Sequence, residues 1–175
     1  MILLAGIHGV GKTTLCKEIE KHLNINCYSA SKLIENALLK PMPKNKLIKD
    51  IQINQIALIN EIEKIRINTN NKFMLEGHFC ILNKKQVVTT IDKSVFKELN
   101  IDYIIILAQN KRILSKRNKF INHCLNSNNF LKEFQEKEIQ YGKYVSNYLK
   151  VPIKVFYNYK NCFYYINHLR NRGIV

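Results

Sequence analysis

The chain has 175 residues, 46% of them hydrophobic and 23% charged, and a formal net charge of +15. That length suits one domain with a self-sufficient core, and the balance excludes wholesale disorder. No apolar run approaches the roughly 18 residues of a membrane span, and the apolar start Met1 to Gly6 lacks the charged leader of a secretory signal. A cytoplasmic protein is expected.

Five cysteines (Cys16, Cys27, Cys80, Cys124, Cys162) are scattered with no C-x-x-C pair. They read as reduced thiols rather than a disulfide framework or a zinc site. Of the 28 basic residues 23 are Lys and only five are Arg, while Asn and Ile are also abundant. These three residue types share A/T-rich codons, so coding bias accounts for the surplus as readily as a nucleic-acid partner does. A surface of +15 still attracts phosphates without selectivity.

In chain order, short apolar runs bounded by polar turns occur at Ile2 to Ala5, Phe73 to Leu75, Tyr103 to Leu107 and Ile153 to Phe156. A weaker candidate is Asn26 to Ser29. Between them, apolar residues at helical spacing predict helices over Lys12 to Leu23, Leu47 to Ile67, Phe130 to Leu149 and Cys162 to Arg172. Breaks fall at Pro41 and Pro43 and at Asn68 to Asn71. Buried strands alternating with helices predict a parallel sheet of about five strands, covered on both faces.

One motif carries specific chemistry. Gly6-Ile7-His8-Gly9-Val10-Gly11-Lys12-Thr13-Thr14 contains G-x-x-x-x-G-K-[ST] between the first strand and the first helix. Glycines at 6, 9 and 11 let the backbone curl so that successive N–H groups face phosphate oxygens, and the helix start adds its positive end. Lys12 is placed for the β- and γ-phosphates, and Thr13 offers a hydroxyl to Mg²⁺.

A second feature is Glu76, the carboxylate that ends the apolar run before Gly77 and His78. Such a residue either holds Mg²⁺ or its water shell, or is a solvated strand end. His78 either meets a phosphate or base, or satisfies a local carbonyl. Arg112 and Arg117 sit in the basic stretch after the fourth strand, and such arginines either neutralise a transferring phosphoryl group or form a solvated helix face. Asn158, after the fifth strand, is a candidate neighbour of a nucleotide base.

On these residues the chain resembles small P-loop nucleoside and nucleotide kinases, most nearly the archaeal-type adenylate kinases and related small ATP-binding proteins. The resemblance rests on Gly6 to Thr14, on Tyr28-Ser29-Ala30-Ser31-Lys32-Leu33, on Glu76-Gly77-His78, on Asn110 to Lys119 and on Tyr157-Asn158. It implies a three-layer α/β P-loop NTPase domain over residues 1–175 with strand order 2-3-1-4-5. An acceptor-binding insertion would span about 28–68 and a short lid about 112–130. The implied nucleotide site is Gly6, His8, Gly9, Val10, Gly11, Lys12, Thr13, Thr14 and Asn158, with Mg²⁺ between Thr13 and Glu76. Lys12, Arg112 and Arg117 would act on the phosphoryl group, and Ser31, Lys32 and His78 would meet the acceptor.

The implied reaction moves the γ-phosphoryl group of ATP to a nucleotide or similar small acceptor, with Lys12 projecting into the cleft. Residues 24–65 contain no Arg, which argues against AMP, since adenylate kinases commonly grip that phosphate with arginines. Two alternatives stand beside this reading. One is a kinase acting on a polynucleotide 5′ end, with Tyr28 and Phe79 as stacking residues; the other is a regulatory P-loop ATPase without a small acceptor.

Overall fold

The computed structural model describes residues 1–39, 47–48, 51–83, 87–110, 113–114 and 128–175. The elements are β1 (Ile2–Ala5), α1 (Lys12–Leu23), β2 (Cys27–Ser29), α2 (Ala30–Leu38), β3 (Leu47–Ile48), α3 (Ile51–Thr69), β4 (Met74–Glu76), β5 (Cys80–Asn83), β6 (Val88–Thr90), α4 (Lys93–Glu98), β7 (Tyr103–Leu107), α5 (Asn128–Leu149), β8 (Ile153–Phe156) and α6 (Tyr159–Asn171).

Five parallel strands form the main sheet in the order β2-β4-β1-β7-β8, which is 2-3-1-4-5 when its strands are counted along the chain. The apolar runs explain this placement. β1 and β7 are buried along nearly their whole length and hold the middle, where both faces are covered. α1 turns Leu15, Cys16, Ile19 and Leu23 inward and packs beside α6, while α5 packs against β7, β8 and α4. No described helix is long and apolar enough to cross a membrane.

The register at the sheet's carboxyl end positions the site. Leu4 pairs with Glu76, and the ladder closes where Gly77 N–H donates to Leu4 O at 3.0 Å. Functional loops leave such a sheet from this edge.

One sequence expectation changes. Leu47 and Ile48 do not open a helix; they form β3, which pairs with Leu82 and Asn83 of β5, and the helix begins at Ile51. Helical spacing alone cannot reveal a pairing partner 35 residues away. β3, β5 and β6 make a second, three-stranded sheet, with β5 and β6 antiparallel. The four described cysteines, Cys16, Cys27, Cys80 and Cys162, are free thiols; Cys124 lies outside the described residues.

Candidate active site

The loop between β1 and α1 is built on glycine. Gly6 has φ +142°, and a Cβ there would lie 2.2 Å from the Leu107 carbonyl oxygen at the end of β7. Gly11 caps α1 in the left-handed region. It brings no side chain to the first-turn N–H groups, which leaves them for an external anion. Val10 is buried, so only its backbone can face a phosphate.

A pocket of about 280 Å³ opens over this loop, lined by His8, Gly9, Gly11, Lys12, Thr13, Thr14 and Glu76. Lys12 departs from expectation. The residue is 4% exposed and its Nζ folds back to donate to Gly6 O at 2.5 Å and Ile7 O at 3.3 Å. The loop's own carbonyls hold the ammonium while the residue still lines the pocket.

Glu76 ends β4 beside this loop, and Thr13 Oγ1 donates to its Oε1 at 2.9 Å. A hydroxyl and a carboxylate together suit Mg²⁺, a hard cation that takes one or two protein oxygens and completes its shell with water and phosphate oxygens.

A second cavity of about 130 Å³ adjoins the first. Its polar groups include Ser31 of α2, Asn54 and Gln55 of α3, and His78; Leu58 and Phe96 contribute apolar wall. His8 and Glu76 line both cavities, so the two meet at these side chains. The His8 and His78 rings lie 4.2 Å apart between centroids across this junction.

The other expected residues fall elsewhere. Lys32 is exposed on α2 and lines neither cavity. Asn158 is exposed and caps α6, its side chain accepting from Asn161 N–H at 3.2 Å. Phe79 is fully buried, with its ring 4.9 Å from that of Phe96, so it serves the core and cannot stack on a nucleic-acid base. Tyr28 is half-buried with its ring edge-on to Phe73. Arg112, Arg117 and most of the expected lid lie outside the described residues.

One residue escaped the sequence reading altogether. Glu138 of α5 is fully buried, and its carboxylate accepts from the backbone N–H groups of Gly6, Phe79 and Cys80. Burial pushes its pKa up to about 7, against the opposing pull of the Phe79 amide, Lys12 and the other two amides. A signal was present: Leu131, Phe134, Glu138, Gly142 and Val145 recur at helical spacing, which puts the carboxylate on the apolar face.

A parallel sheet in this order, with the phosphate loop leaving its central strand and a Thr–Glu pair beside it, defines a P-loop nucleotide-binding protein. The chain belongs to the family whose model is described as an AAA domain, which matches residues 5–120 and groups it with P-loop kinase-like proteins. Its fold is similar to a shikimate kinase from Bacteroides thetaiotaomicron, with TM-score 0.62, 14% identity and 97% of each chain covered. A shikimate kinase from Acinetobacter baumannii in complex with shikimate gives TM-score 0.57 and 15% identity, over 98% of this chain and 93% of that one. The YorR protein of Bacillus subtilis, in complex with phosphorylated GDP, gives 0.59 and 11%, over 98% and 96%. None of the curated protein sequences matches this chain.

Proposed function

We propose that the protein is an ATP-dependent phosphotransferase that moves the γ-phosphoryl group of ATP to a small acceptor held in the cavity beside the phosphate loop. The observation that carries this reading is the junction of the two cavities at His8 and Glu76. A donor phosphate over the loop and an acceptor among α2, α3 and His78 would face each other across that junction. Bringing two reactants together in this way supplies much of the rate in phosphoryl transfer.

The residues divide the work. Backbone amides from Gly9 to Thr14 bind the phosphate oxygens, and Lys12 leaves the Gly6 carbonyl for them. Thr13 and Glu76 hold Mg²⁺, which when bound offsets phosphate charge. Ser31 and His78 orient the acceptor, for which a nucleotide is the leading class. Arg112 and Arg117 are assigned the charge of the transferring group.

An acceptor screen with ATP and Mg²⁺, reading ADP formation, tests the proposal. It should include nucleoside monophosphates, nucleosides, small hydroxy acids and a 5′-hydroxyl oligonucleotide. One class should raise ADP formation well above basal hydrolysis. A result in which no acceptor does so, while nucleotide controls association with a protein, overturns it in favour of a regulatory ATPase.

A further inference from the structure

Glu138 sits where backbone donors from two segments converge. Gly6 N–H donates to Oε1 at 3.1 Å, Phe79 N–H donates to the same oxygen at 2.9 Å, and Cys80 N–H donates to Oε2 at 2.6 Å. Gly6 opens the phosphate loop. Phe79 and Cys80 follow Gly77 and His78, which line the acceptor cavity. β1 and β4 are sheet neighbours, but their ladder ends at Gly77 N–H to Leu4 O. Beyond that point one carboxylate oxygen accepts from both segments at once.

The chemistry calls for a carboxylate. Three converging donors need three acceptor lone pairs, and an amide would turn an NH₂ group toward one of them. Lys12 completes the arrangement from the far side of Gly6: the Gly6 N–H donates to Glu138 and the Gly6 carbonyl accepts from Lys12 Nζ. Carboxylate, backbone and ammonium thus form one chain of charge-assisted hydrogen bonds ending on the phosphate-binding lysine.

α5 is itself fixed on both sides of Glu138. One turn earlier, Gln135 Oε1 accepts from Gln109 N–H at 2.8 Å, and Gln135 Nε2 donates to Gln109 O at 3.1 Å. One turn later, Gly142 lets the helix lie close, since a Cβ there would fall 2.6 Å from Ile106 Cδ1 and 2.9 Å from Phe79 Cε2.

We infer that Glu138 is a positioning residue that holds the phosphate loop and the acceptor wall in fixed register, so that events at one are transmitted to the other. This rests on the function proposed above, because it needs nucleotide on the loop. It assigns Glu138 no contact with either substrate.

The test is hydrogen–deuterium exchange on the full chain with and without saturating Mg²⁺ and the non-hydrolysable analogue AMP-PNP. In the wild-type protein the analogue should slow exchange in peptides covering 77–83 as well as in the loop. In E138Q the loop should still be protected, while protection at 77–83 falls about fivefold or more, the low end of coupling between sites. A merely structural role would raise exchange throughout α5 and the sheet without selectively uncoupling 77–83. E138D keeps the charge but withdraws it by one methylene, and should lie between the two; it decides the matter if E138Q does not fold. Wild-type coupling retained in the folded variants overturns the role of Glu138 alone. Failure of the wild-type chain to bind AMP-PNP overturns this role and the proposed function together.

Discussion

Thr13 Oγ1 donates to Glu76 Oε1 at 2.9 Å, joining the first turn of α1 to the end of β4 across 63 residues of sequence. The contact places the two oxygen groups proposed for Mg²⁺ side by side. Glu76→Gln should therefore lower Mg²⁺ affinity in the nucleotide complex by about 10–100-fold, the range seen when a metal site loses a supporting partner. Titration calorimetry of ATP with and without Mg²⁺ checks this; an unchanged Mg²⁺ dependence contradicts the metal assignment.

Lys12→Ala should abolish ATP turnover, by about 10³-fold or more if the lysine carries phosphoryl charge in the transition state. It also strips the buried Glu138 of its nearby cation. The variant should stay folded by circular dichroism and retain Gly6 in its loop. Turnover at the wild-type rate would defeat the phosphate assignment.

Stability should depend on pH through Glu138. Among the described residues, the groups facing its carboxylate are Lys12 of α1 and the Cys80 thiol of β5, itself pushed up to about 12 by burial and by the carboxylate. Glu138, unlike the Cys80 thiol, titrates near neutrality. Its folded pKa of about 7 lies above the ordinary 4.5, so the fold favours the protonated form. That stabilisation is present below about pH 4.5 and is lost as pH rises through about 7. The wild-type Tm measured relative to E138Q should fall across this window and level off above it. The positioning role runs the other way, since it needs the ionised carboxylate, and loop-to-wall coupling should strengthen with rising pH. A Tm difference that is flat, or rises, over the window would refute the linkage.

Gly142→Ala should destabilise by about 1–3 kcal/mol, the usual cost of forcing a methyl group into a filled core. The inserted Cβ meets Ile106 and the Phe79 ring at the α5 contact. Denaturant unfolding measures the loss. Gly173→Ala is a useful contrast, because nothing lies within 4 Å of a Cβ there and only its positive φ of +71° resists the change.

Gly6→Ala should be harsher, because its Cβ would strike the Leu107 carbonyl, a backbone atom fixed in the central sheet. Combined with φ +142°, the clash should distort the loop and lower nucleotide affinity even where folding survives. Fluorescence titration with a labelled ATP analogue reads that loss.

Much of the architecture is legible in the residues. The apolar runs at Ile2 to Ala5 and Tyr103 to Leu107 are local signals, and both became central strands because nothing but burial suits four consecutive aliphatic residues. Asn70 and Asn71, expected as a break, take positive φ values at the end of α3. The Leu47–Ile48 strand was not legible, because two residues declare themselves a strand only when a partner, here β5, supplies the ladder. Lys32 and Asn158 were placed by analogy of position, and nothing in their local sequence states which way a side chain will face.

The sequence by itself determined where the phosphate loop lies, since G-x-x-x-x-G-K-T between strand and helix carries its glycines, lysine and hydroxyl in one short stretch. It also determined the strands that flank that loop and the carboxylate at Glu76. Only the tertiary structure decided that Glu138, 132 residues from Gly6, accepts hydrogen bonds from both the loop and the segment that follows β4. The reason is physical: a motif is a local pattern, whereas a buried carboxylate is stable only where amides from separate segments and a lysine from another helix arrive together.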